Sequence, residues 1–90
     1  MSIEVLSPCP ESRIAAEGMR DWSVWSCEIS SFPWTYDERE TCLVLEGEVV
    51  VTPEGGDPVR FGAGDRVVFP AGLSCRWEVL QPVRKHYRFG

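Results

Sequence analysis

After residue 21 the chain changes character every few positions. Apolar and polar side chains alternate, and glycine or proline cuts the alternation at short intervals. Trp25, Cys27 and Ile29 alternate with Ser26, Glu28 and Ser30, which gives one apolar and one polar face. Pro33, which has no N–H to donate, is expected to interrupt this ladder, and Trp34 and Tyr36 resume the alternation in shifted phase. Further strands are predicted over 41–45, 48–52, 59–61, 66–69, 75–79 and 83–89, with turns at 53–58, 62–65 and 70–72. Short strands in close succession pack as a sandwich or a barrel, because a long run of hairpins must close or cover its edges. Helix signal is confined to residues 10–17. Pro10 opens this segment, Glu11 lies in its first turn and Gly18 stops it. The expectation is an all-β domain with at most one short N-terminal helix.

Ninety residues support one hydrophobic core, so a single domain over 1–90 is expected. The four Trp and the 43% hydrophobic content are those of a folded chain. The net charge of -5 argues against nucleic acid, which selects basic faces. The charge is uneven: residues 1–57 hold twelve acids and three bases, residues 58–90 two acids and six bases. Strands from the two halves are expected to pair and neutralise one another; a basic rim that steers ligands is the alternative. No apolar run approaches the about 20 residues that cross a bilayer, and the first residues lack the pattern of a signal peptide. A cytoplasmic location follows as an expectation, with Cys9, Cys27, Cys42 and Cys75 reduced. No C-x-x-C occurs among them, which argues against a zinc ribbon or a thioredoxin-like site.

Two spacings carry a resemblance. Glu40 is followed after six residues by Gly47, and Gly64 after five residues by Pro70-Ala71-Gly72 and then, after two more residues, by Cys75. Together they resemble the two motifs of the cupin superfamily, about 34–47 and 64–79 here. In that family two histidines, a glutamate and a third histidine converge on one metal inside a jelly-roll barrel, also called a double-stranded β-helix. By this likeness Trp34 and Tyr36 stand at the places of the first two histidines, Glu40 is the retained glutamate, and Cys75 stands at the third histidine. Gly47, Gly64, Pro70 and Gly72 are retained as turn residues, whereas Glu28 replaces the glycine expected before the first motif. The chain is most similar to small single-domain cupins of the ureidoglycine-aminohydrolase-like and ethanolamine-utilisation-like group. The strings Glu40-Thr41-Cys42, Leu45-Glu46-Gly47, Phe69-Pro70, Cys75-Arg76-Trp77 and the ending from Pro82 to Tyr87 carry that likeness. It implies the fold directly and leaves the reaction open.

Strand parity places Trp34, Tyr36, Glu40, Cys42 and Val44 on one face, and Cys75, Trp77 and Val79 on one face of a later strand. If these faces are internal, Trp34, Tyr36, Glu40, Cys42, Cys75 and Trp77 are the candidate ligand-binding residues. The aromatics are read either as core filling or as a ligand platform. An inward Glu40 needs a partner, because burying a lone carboxylate costs several kcal/mol; Tyr36 and an inward arginine are the candidates. Glu40 is the candidate general acid/base. If it is structural only, Glu40→Gln is expected to leave stability nearly unchanged. Cys75 is the second catalytic candidate, as a nucleophile that would need a base or a positive group nearby. The alternation 84, 86, 88 against 87, 89 turns His86 outward and Tyr87 and Phe89 inward. One carboxylate, one thiol and one phenol make a poor metal set, so no metal and no cofactor are expected. Three functions remain open: a metal-free cupin that binds a small molecule in the barrel, with Glu40 fixing a polar or cationic group; an enzyme acting on a small nitrogenous or carbonyl compound; or a ligand-free dimerisation or regulatory module. A homodimer through the segment 22–29 is expected in each case.

Overall fold

The computed structural model describes residues 2–90. Its elements are β1 (Glu4–Leu6), α1 (Glu11–Glu17), a 3-10 turn (Met19–Asp21), β2 (Ser23–Cys27), β3 (Ser30–Thr35), β4 (Glu40–Pro53), β5 (Val59–Gly62), β6 (Arg66–Phe69) and β7 (Ser74–Phe89). The helix forms where proline, acid and glycine mark it. Gly18 closes it at φ 63°, and its N–H reaches the carbonyls of Ala15 and Ile14.

Two long strands organise everything else. β4 and β7 run antiparallel over almost their whole length, and each changes neighbour halfway. The first half of β4 pairs β6, which in turn pairs β1, and the second half of β4 pairs β5. The first half of β7 pairs β3, and its second half pairs β2. The result is two strand layers, β1-β6-β4-β7-β2 and β5-β4-β7-β3, that share the bent strands and enclose one core, a jelly-roll arrangement.

The segments 41–45 and 48–52, read as separate strands in the sequence, are therefore one. Glu46 and Gly47 form an irregular bend where the β4–β7 register shifts, not a turn between strands. Gly47 is required there. Its φ is 100°, and a Cβ would lie 2.4 Å from the Pro82 carbonyl oxygen on β7. The segments 75–79 and 83–89 likewise merge into β7. Pro33 does not interrupt the ladder either: it lies inside β3 opposite Arg76. β3 pairs only β7, and an edge strand tolerates a residue without an N–H.

Residues 40–44 are all buried, so the first part of β4 shows no alternation in exposure. One face, with Cys42 and Val44, enters the main core among Val49, Val51, Phe69 and Trp77. The other face is covered from outside: Leu43 packs with Cys9, Ile14 and Met19 beneath the helix. The acidic first part and the basic last part of the chain are joined by ion pairs, Glu17 with Arg66, Glu48 with Arg60 and Glu40 with Lys85. No helix is long and apolar enough to cross a membrane among the described residues.

Candidate functional site

One mouth of the barrel opens into a cavity of about 240 Å³, walled by aromatic rings and floored by two charged groups. The strand register explains its lining. Phe32 and Trp34 on β3 face Trp77 and Cys75 on β7, Trp25 on β2 faces Lys85 on β7, and Glu40 on β4 faces Phe69 on β6. Trp34 and Phe89 form the rim, 49% and 47% exposed, while Tyr36 and Trp77 lie deep at 2%. Trp77 stacks on Phe32 and meets Trp25 edge-on, and Tyr36 stacks on Phe69 with ring centres 4.7 Å apart. The Trp77 indole N–H donates to the Tyr36 hydroxyl at 3.1 Å. Burial pushes the Tyr36 phenol well above its ordinary range, and the nearby Glu40 charge pushes it the same way.

At the floor, Lys85 Nζ donates to Glu40 Oε2 at 2.5 Å, and both side chains are about 6% exposed. The ammonium also lies over three rings, 4.8 Å from the centre of Trp77, 5.1 Å from Trp25 and 5.7 Å from Phe69. Glu40 thus has the partner its burial demands, but that partner is neither Tyr36 nor an arginine. It is Lys85, which the sequence reading missed. The parity that turns Tyr87 and Phe89 inward also turns Lys85 inward, and this was the available signal. Trp25, Phe32, Tyr87 and Phe89 complete the lining.

Four of the six residues singled out in the sequence come together on this cavity: Trp34, Tyr36, Glu40 and Trp77. Cys42 is fully buried behind the wall, and burial raises its thiol to about 12. Cys75 also lies outside the lining. Its thiol faces the Trp34 carbonyl oxygen at 3.5 Å, and burial alone raises it. Among the described residues no base or cation lowers it, as a nucleophile would require. His86 points away from the cavity and bonds the Trp22 carbonyl oxygen through Nδ1 at 3.0 Å. All four cysteines are free thiols.

The positions at which cupins hold a metal do not suit one here. Trp34 offers no donor atom. The Tyr36 hydroxyl is held by Trp77 and kept protonated by burial. The charge of Glu40 is already met by the Lys85 ammonium. No group of three metal-ligating side chains gathers among the described residues.

Two strand layers sharing bent long strands, with a site in the barrel mouth at the start of β4, define a cupin. The comparisons place it more closely. The profile of the EutQ-like cupin domain matches residues 14–87, and the chain belongs to this family. A DUF861 family protein from Thermotoga maritima superposes with a TM-score of 0.93 at 45% identity, over 99% of this chain and 100% of that one. A protein of unknown function (DUF1255) from Acidithiobacillus ferrooxidans superposes at 0.67 and 30% identity, over 70% of this chain and 60% of that one. A candidate ethanolamine utilization protein Q from Salmonella typhimurium superposes at 0.67 and 33% identity, over 73% of this chain and 53% of that one. This chain therefore spans about half the length of that last relative. No curated protein matches the chain.

Proposed function

We propose that this cupin binds a small, mainly apolar molecule in the barrel mouth without a metal. The observation that carries the reading is the neutralised Glu40–Lys85 pair at the floor of an open aromatic cavity. A module whose barrel is simply filled has no use for such a cavity. The volume suits a ligand smaller than a drug-sized compound. Glu40 is not free to fix a cationic group, because Lys85 occupies its oxygen. The pair instead offers one donor and one acceptor to a neutral polar function, while the rings grip an apolar body.

An enzymatic variant of this reading assigns Glu40 the acid/base role, on a small nitrogenous or carbonyl metabolite. The hydrogen bond to Lys85 favours it, since a proton can move between two groups already in contact.

Trp25, Trp34 and Trp77 line the cavity, so occupancy is read by indole fluorescence and by thermal shift. A set of small neutral aromatic and aliphatic compounds, screened with and without divalent ions, is expected to give binders that do not depend on the ions. Binding that appears only with an added transition metal, or no binder among compounds of this size, overturns the reading.

A further inference from the structure

We infer that Lys85 is an amine nucleophile that captures small uncharged aldehydes or ketones as an iminium, with Glu40 as its proton carrier. This rests on the reading of the cavity as a small-molecule site. Eight of the nine basic residues are arginine, and Lys85 is the only lysine in the chain. A cation needed merely to neutralise Glu40 could be arginine, as it is at every other ion pair among the described residues. Lysine differs in one respect that matters: its amine can lose a proton and attack, which guanidinium does not do in proteins.

The surroundings of Nζ fit each stage. The Nζ–Oε2 contact of 2.5 Å lets the ammonium pass a proton to the Glu40 carboxylate. The amine lone pair then attacks the carbonyl carbon, and the carbonyl oxygen takes up that proton and a second from the same nitrogen. The oxygen leaves as water, and the C=N bond forms. Glu40 ends as the carboxylate. The charge of one ammonium has become that of one iminium, and no oxidant or reductant is consumed. The iminium stays where Lys85 Nζ now lies, over the faces of Trp77, Trp25 and Phe69, which favour a cation. The lining holds no other charged residue, so nothing is present to pair with a carboxylate or phosphate on the substrate. That selects an uncharged carbonyl compound over a keto acid.

Benzaldehyde with sodium cyanoborohydride tests this, because the reagent reduces an iminium to a stable amine that peptide mapping locates. Lys85 is expected to be labelled at least tenfold faster in the folded protein than in the same chain unfolded in urea. The label at the N-terminal amine should show no such gain. Glu40→Gln, compared under conditions where circular dichroism shows it folded, should slow labelling of Lys85 at least tenfold, and Lys85→Arg should retain the folded circular dichroism spectrum while losing the internal label. Label confined to the N-terminal amine, or Lys85 labelled only in urea, overturns the inference. Benzyl alcohol, which cannot form an imine, separates the two proposals. If it quenches the indole fluorescence while Lys85 stays unlabelled, the iminium fails and the binding site stands. If it does not bind either, both fail.

Discussion

Trp77 and Tyr36 are tied to each other by the indole N–H donating to the phenolic oxygen at 3.1 Å, deep in the barrel. Both rings also stack against other aromatics, Trp77 on Phe32 and Tyr36 on Phe69. Tyr36→Phe keeps the stacking and leaves the indole N–H without an acceptor. An orphaned buried donor costs about 1–3 kcal/mol, and chemical denaturation should show a loss in that range. A loss too small to measure would mean that the hydrogen bond contributes little to the fold.

The Glu40–Lys85 pair responds to substitution as a unit. Removing one member of a buried pair strands the other charge and costs about 3–5 kcal/mol. Glu40→Gln, which would be nearly silent for a carboxylate held only by neutral donors, should therefore be strongly destabilising here, because it leaves the Lys85 ammonium unopposed. Combining it with Lys85→Met should recover most of the loss. Denaturation of the two single variants and the double variant completes the cycle, and additive losses would contradict the coupling.

Cys42 makes the fold sensitive to alkali. Its thiol is raised by burial to about 12 from an ordinary value of 9.0. Below pH 9 the thiol is protonated in both the folded and the unfolded chain and contributes no slope. Between about 9 and 12 the unfolded chain releases the proton while the folded chain keeps it, so stability falls as pH rises, by up to about 1.4 kcal/mol per pH unit from this one group. Tyr36 is shifted in the same direction and adds to the decline above its ordinary range. Cys42→Ala should give a shallower decline in unfolding midpoint between pH 9 and 11 than the parent chain. Equal slopes would remove Cys42 as the cause.

The free edge of β2 is the surface on which we expect two copies to pair. Among the described residues β2 bonds only β7, and Val24 is exposed on it, with Ile29 just beyond. Antiparallel addition of a second β2 would satisfy the open edge and cover these side chains. Light scattering should give twice the 10.2 kDa chain mass. Val24→Lys should shift the particle to the monomer mass, and a parent chain that is already monomeric at micromolar concentration would refute the pairing.

Much of this architecture was legible along the chain, because strand alternation and glycine–proline punctuation act over a few residues. The short helix ending at Gly18, the turns at 53–58, 62–65 and 70–72, and the cupin spacing from Glu40 to Gly47 are local patterns of this kind. Trp34, Tyr36, Glu40 and Trp77 could be gathered on one site from the motif and parity together. What escaped depended on partners distant in sequence. The merging of two segments into β4 follows from the packing of Gly47 against Pro82 on another strand. The burial of both faces of residues 40–44 arises because a helix covers the outer side. Cys42 is set deeper than the cavity wall and Cys75 is turned to the Trp34 backbone carbonyl, placements that alternation does not encode. Lys85 is the clearest case. Its inward parity could be read, but a lysine on an apolar face looks like a misplaced surface residue until its counter-charge is known. That counter-charge is 45 residues away in the chain. Only the folded barrel, by setting β7 beside the start of β4, brings the carboxylate that makes a buried ammonium tolerable.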